Sequence, residues 1–157
     1  MTKYTIRSML QSDIQAVAAI ERQVEYHPWS DHQFQESLSA GQHCTVMVDG
    51  EQVVGFCILQ PVLDEANLLL MAIDPKYQGQ GRGLALLEES IELLGDRCVM
   101  IFLEVRVSNM PAIALYEKVG FHQMGIRKNY YLADRTLFAN GKEDAVLMAL
   151  TRGNPFV

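Results

Sequence analysis

The chain has 157 residues, the size of one domain at roughly 100–200 residues each. Apolar residues make up 49% and charged residues 20%, which excludes a disordered tail, a collagen-like fibre and a coiled coil. The net charge is −6 and no Lys/Arg run is present, which argues against binding nucleic acid through its phosphates.

Three cysteines, Cys44, Cys57 and Cys98, sit among apolar neighbours. Their odd number and wide spacing argue against a disulfide framework or a zinc site, so they read as buried small hydrophobes in a reducing compartment. Residues 1–13 carry no apolar stretch of signal-peptide length, and the longest apolar run, Leu68 to Ile73, is far short of a membrane span. The expectation is a soluble cytoplasmic protein.

In chain order, Tyr4 to Arg7 has strand composition. Ile14, Val17, Ala18 and Ile20 then fall at helical spacing, with Ser12 or Asp13 as the expected cap. Pro28 stops that helix. Ser30-Asp31-His32-Gln33 has the form of a capping box and opens a second helix through Phe34 and Leu38. Cys44 to Val48 and Val53 to Leu59 read as strands joined by an Asp49-Gly50 hairpin turn. Ala66 to Asp74 is a third strand, apolar without alternation and so covered on both faces. A helix follows from Gly83 to Leu94, with Leu84, Leu87, Ile91 and Leu94 on one face. Val99 to Val107 is a strand. Asn109 caps a helix with Pro111 in its first turn, and Gly120 ends it. Phe121 to Tyr131 and Asp144 to Leu150 are two last strands around a polar loop with Asn140-Gly141. The order β-α-α-β-β-β-α-β-α-β-β predicts an α/β (or α+β) domain: one mixed β-sheet with helices on both faces.

One segment points to a ligand. Gln78-Gly79-Gln80-Gly81-Arg82-Gly83 lies between a buried strand and a helix. Its glycines let backbone N–H groups converge, and the helix dipole stands behind them, which suits a pyrophosphate. No G-K-[ST] follows, so it is not a Walker A loop. A dinucleotide fingerprint would need glycine at Leu84. The bland alternative is a flexible strand-to-helix turn.

This loop resembles the Q/R-x-x-G-x-G/A signature of the GCN5-related N-acetyltransferases (GNAT). Leu103-Glu104-Val105, Asn109 and Ala114-Leu115-Tyr116-Glu117-Lys118-Val119-Gly120-Phe121 resemble that family's second signature. The resemblance covers the whole chain and implies a single N-acetyltransferase domain over residues 1–157. Shorter pieces are similar to the bacterial ribosomal-protein-alanine N-acetyltransferases: His27-Pro28-Trp29-Ser30, Leu63-Asp64-Glu65-Ala66, Leu103-Glu104-Val105-Arg106, Arg127-Lys128-Asn129-Tyr130-Tyr131 and Glu143-Asp144-Ala145. Relatives often carry Arg where this chain has Gly79; Arg82 and the backbone donors remain.

The resemblance implies acetyl-CoA as cosubstrate, no metal, and direct attack of an amine on the thioester. It places the cofactor on the backbone of Met71, Ala72 and Ile73, on Gln78, Gly79, Gln80, Gly81, Arg82, Gly83 and Leu84, and on Asn109. It makes Glu104 the base and Tyr116 the acid, and puts Trp29, Tyr130 and Tyr131 at the acceptor. The implied partner is a protein N-terminus, that of protein eighteen of the small ribosomal subunit, with neither nucleic acid nor membrane bound directly. An α-amine of pKa about 8 is roughly a tenth neutral at pH 7, so a weak base suffices. Tyr, with pKa near 10, keeps its proton at pH 7 for a departing thiolate.

The residues by themselves leave alternatives. Glu104 can face solvent or pair with Arg106, two positions along the same strand face. Tyr116 can be an amphipathic core tyrosine, and Asn109 a plain N-cap. The aromatics can be core. His27, His32, His43 and His122 form no triad or ligand pattern and read as structural or surface residues. A small amine or a lysine side chain can replace the N-terminus as acceptor. A non-enzymatic acyl-CoA sensor would need only the loop.

Overall fold

The computed structural model describes residues 4–153. Its elements follow the expected order: β1 (Thr5–Ser8), α1 (Ile14–Val24), α2 (Asp31–Ser39), β2 (His43–Asp49), β3 (Gln52–Val62), β4 (Glu65–Ile73), α3 (Arg82–Leu93), β5 (Met100–Arg106), α4 (Met110–Val119), β6 (His122–Leu132) and β7 (Lys142–Thr151). Two short 3-10 turns, Gln11–Asp13 and Pro75–Tyr77, are additional. The seven strands form one sheet in the order β1-β2-β3-β4-β5-β7-β6. All neighbours are antiparallel except β4 and β5, which run parallel across the α3 crossover.

Strand periodicity divides the core into two layers. Along β2, Cys44, Val46 and Val48 point to one face, where Val17, Ala18 and Ile20 of α1 and Phe34 of α2 cover them. Met47 points to the other face and joins Leu86, Leu87 and Ile91 of α3 and Ile113 of α4. Thr45 shares that second face. Its hydroxyl meets the Ser90 hydroxyl of α3 at 2.7 Å, so two buried polar groups satisfy each other.

Helix boundaries have local causes. Ser30 and Gln33 form the expected capping box at α2. The expected cap of α1 is corrected. Neither Ser12 nor Asp13 caps it with a side chain; the Asp13 carboxylate turns back to the Leu10 N–H (2.7 Å) and to Arg7 (2.7 Å). The Arg7 hydrogen bonds hold that carboxyl below the usual carboxylate range. Asp74 does not extend β4 but caps the Pro75–Tyr77 turn, accepting from the Lys76 N–H at 3.0 Å. No helix among the described residues is long and apolar enough to cross a membrane.

Candidate active site

The site begins where two strands part. β4 and β5 are paired from Glu65 and Met100 only to Leu68 and Leu103. On its other edge β4 shifts register against β3, with Ile58 opposite Leu70 and Leu59 opposite Leu68. Leu69 is therefore an extra residue, a bulge that bends β4 away from β5. Past this fork lies a cleft of about 870 Å³. Leu69, Leu70 and Met71 form one wall. Glu104, Val105 and Arg106 form the other. The β4 edge that faced β5 is left without a strand partner, which suits an amide-bearing chain laid alongside it.

The glycine loop sits at the open end of this edge. Gly79 and Gly81 both take positive φ, +77° and +78°, which turns successive N–H groups outward at the N-terminus of α3. Gly83 serves close packing: a Cβ there would lie 3.3 Å from Leu115 and 3.7 Å from Met71. Its absence brings the start of α3 down onto β4 and α4 together.

Arg82 is placed differently from a free cation at the loop. Its side chain is only 4% exposed. The guanidinium faces Asp49 of the β2–β3 turn at 3.5 Å, bonds Gln80 and lies over the Tyr77 ring at 4.9 Å. It ties the loop to the sheet. The side-chain charge of Arg82 is thus engaged within the protein, while the loop N–H groups stand at the α3 terminus.

Glu104 and Arg106 share a strand face, but they do not pair with each other. Glu104 meets Arg127 of β6 at 3.0 Å. Arg106 meets Glu25 at the end of α1 at 2.6 Å and the buried Glu143 of β7 at 3.2 Å. The expected alternative of a Glu104–Arg106 pair is thereby corrected. Arg127 serves Glu104 alone, while Arg106 is shared by Glu25 and Glu143.

Tyr116 lines the cleft from α4, with its ring edge on Phe121 at 5.9 Å between centroids. Burial raises its phenol above the ordinary value, and Cys57 adds to this, so the proton is held at neutral pH. Asn109 caps α4, its side-chain oxygen accepting from the Ala112 N–H at 3.3 Å, and it also borders the cleft. Ala72 and Ile73 are core residues, as their apolar side chains suggest.

The three expected acceptor aromatics all line the cleft. Trp29 packs on Phe34 of α2 with 5.3 Å between ring centroids. Tyr130 and Tyr131 are adjacent in β6 and would point to opposite faces of a regular strand. A bulge prevents this. The register moves from Arg127 opposite Ala145 to Tyr131 opposite Glu143, Asn129 takes φ +54°, and its N–H reaches Asp144 at 2.9 Å. Both rings then reach the same cleft, 4.9 Å apart edge to face.

Sequence reasoning missed Glu21. It lines the cleft from α1, is 1% exposed, and accepts the Trp29 N–H at 3.2 Å. Burial pushes its carboxyl up to about 7; Glu25 adds to the rise and the Trp29 N–H opposes it. The signal was available: Ile14, Val17, Ala18 and Glu21 follow helical spacing, so a carboxylate occupies an apolar-face position. His27, given no role from sequence, also borders the cleft.

A raised carboxyl pKa means the folded chain holds a proton that the unfolded chain has released. The stabilisation is complete below about 4.5 and lost as pH rises through about 7. At pH 8 the cost is on the order of 3 kcal/mol. Glu21→Gln is therefore expected to melt several degrees above the parent at pH 8, with the gap closing by pH 5. Melting curves whose separation is the same at both pH values would reject this.

All three cysteines are free and buried, and none lines the cleft. Burial pushes the Cys44 thiol up to about 11 and Cys57 up to about 12, so neither is a ready nucleophile at neutral pH. Among the described residues no group of three or more His, Cys, Asp or Glu is arranged to hold a metal ion.

Residues 10–121 match the acetyltransferase (GNAT) family. The chain belongs to this family. Among its relatives it is 42% identical over 147 residues to the [ribosomal protein bS18]-alanine N-acetyltransferase of Escherichia coli, covering 93% of this chain and 96% of that one. The Haemophilus influenzae enzyme of the same name is 41% identical over 138 residues, covering 87% and 91%. The crystal structure of an Escherichia coli ribosomal-protein-alanine N-acetyltransferase superposes with a TM-score of 0.86 at 39% identity and covers 99% of both chains. The seven-strand mixed sheet of this chain is thus the fold of that relative over nearly its whole length.

Proposed function

We propose that this chain transfers the acetyl group of acetyl-CoA to the N-terminal α-amino group of a ribosomal protein, the N-terminal alanine of bS18. One observation carries the reading. The likeness to enzymes of that name spans 93% of the chain, so it is not confined to the part that binds cofactor. The cleft geometry is consistent with it: the expected acceptor aromatics, Glu104 and Tyr116 line one cleft with the free edge of β4.

In this reading the N–H groups of Gly79 to Gly83 hold the pyrophosphate, and the free β4 edge at Met71 to Ile73 pairs with the pantetheine arm. Gln78, Leu84 and Asn109 complete the cofactor wall. Glu104 takes the proton of the acceptor amine, directly or through one water, and Tyr116 gives a proton to the departing sulfur. Both are groups whose ordinary chemistry suits pH 7. A lysine acceptor, with pKa near 10.4, would present roughly two-hundredfold less neutral amine than an α-amine at that pH.

The test is an assay of released CoA with two peptides, analysed by mass. One carries the bS18 N-terminus with a free α-amine. The other has a blocked N-terminus and one lysine. Acetylation of the first and not the second is expected. Acetylation only of the lysine peptide, or only of free small amines, would replace the reading.

A further inference from the structure

Three carboxylates line the cleft, and two of them are neutralised within the protein. Glu25 is paired with Arg106 and Glu104 with Arg127. Glu21 pairs with no cation among the described residues. One of its oxygens, Oε2, accepts the Trp29 N–H; Oε1 accepts no hydrogen bond from the described residues. A buried anion without a countercharge is costly, so such a position is stable in its charged form only when a cation arrives.

The proposed acceptor is such a cation. An α-ammonium of pKa about 8 is roughly nine-tenths protonated at pH 7. It must enter past the wall formed by Trp29, Tyr130 and Tyr131, and Glu21 lies in that same cleft. The neighbouring groups do not offer an equivalent. Glu25, Arg106, Glu104 and Arg127 are engaged in ion pairs, His27 carries no carboxylate, burial holds the proton on the Tyr131 phenol, and the β4 wall of Leu69 to Met71 is apolar. We infer that Glu21 is a specificity-determining residue that receives the acceptor's α-ammonium and supplies its countercharge before Glu104 removes the proton. The inference rests on the proposed function and adds a residue with a distinct role: Glu21 selects a charged amine, and Glu104 activates it.

The hydrogen bond to Trp29 provides the rival explanation, that Glu21 only braces the loop. Glu21→Gln separates the two, because its amide oxygen still accepts the Trp29 N–H while the charge is lost. The wild type and Glu21→Gln are assayed with an alanine-initiated bS18 peptide. Binding is also measured for the same peptide with the α-amine replaced by a hydroxyl. The expected result is an acceptor KM raised about tenfold or more, with the KM for acetyl-CoA unchanged. The preference for the amine over the hydroxyl peptide should fall to near one in Glu21→Gln and persist in Glu21→Asp. An unchanged acceptor KM and an unchanged preference would make Glu21 a brace and overturn the inference. A wild type inactive on the peptide would instead defeat the proposed function, and this inference with it.

Discussion

Glu104→Gln is expected to lower turnover by roughly 10²–10⁴-fold while leaving the Kd for acetyl-CoA unchanged. The free edge of β4, Leu69 to Met71, lies on the wall of the cleft opposite the substituted carboxylate. The substitution keeps the side-chain volume but removes the proton acceptor and weakens the contact with Arg127, now 3.0 Å. The residual reaction should then depend on amine that is already neutral. That fraction rises from about a tenth at pH 7 to about nine-tenths at pH 9 for an α-amine of pKa about 8. The variant is therefore expected to gain close to tenfold in rate over this range, and the wild type much less. A pH–rate series on both proteins checks this. Near-normal turnover, or a variant with the same pH profile as the wild type, would remove Glu104 from the role of base.

Much of the fold was legible because its signals are local. The switch from helical spacing at Ile14, Val17 and Ala18 to strand runs after Cys44, the capping box at Ser30 and the Pro111 and Gly120 boundaries each specify one element. The glycine loop was legible for the same reason. The fork was not. It depends on where a parallel pairing stops and on a bulge at Leu69, inside the uninterrupted run Leu68 to Ile73, where no Gly or Pro marks it. Partner choice was equally hidden. Glu104 and Arg106 look like neighbours on one strand, yet the partners they take come from β6, β7 and the end of α1. The resemblance makes Arg82 a donor to the cofactor, and its contact with the Asp49 turn, 33 residues away in sequence, has no local signal.

The proposed cofactor site would let an acidic chain accommodate an anionic cosubstrate. A net charge of −6 opposes CoA at long range, but that repulsion is screened beyond about 10 Å at moderate salt. Local donors act inside that distance. The α3 terminus and the two left-handed glycines supply partial positive charge without a side-chain cation. On the acceptor side the excess carboxylates favour an incoming ammonium. The proposed cofactor loop and the acceptor cleft thus carry opposite local character within one acidic protein.

Gly81→Asp separates the loop's conformation from its chemistry, and its expected effect is a CoA affinity lowered by about 10²-fold or more. Gly81 has φ +78° and stands at the N-cap of α3, and a Cβ there meets nothing within 4 Å. Steric clash is therefore not the cause. Left-handed backbone costs a side-chain residue roughly 1–2 kcal/mol, and Asp tolerates it better than most. A carboxylate at a helix N-terminus returns roughly 0.3–1 kcal/mol through the dipole. The unliganded protein should then melt within a few degrees of the parent. With CoA present, the new carboxylate occupies the donors intended for the pyrophosphate and repels its charge. One pair of like charges at about 4 Å and an effective dielectric near 20 is worth on the order of 4 kcal/mol, enough for the stated loss. Gly81→Ala carries the backbone strain without the charge and should lose far less affinity. Raising the salt should narrow the difference between the two variants. Calorimetric titration of both with CoA distinguishes the causes: equal losses would assign the effect to backbone strain, and unchanged binding in Gly81→Asp would remove the loop from the cofactor site.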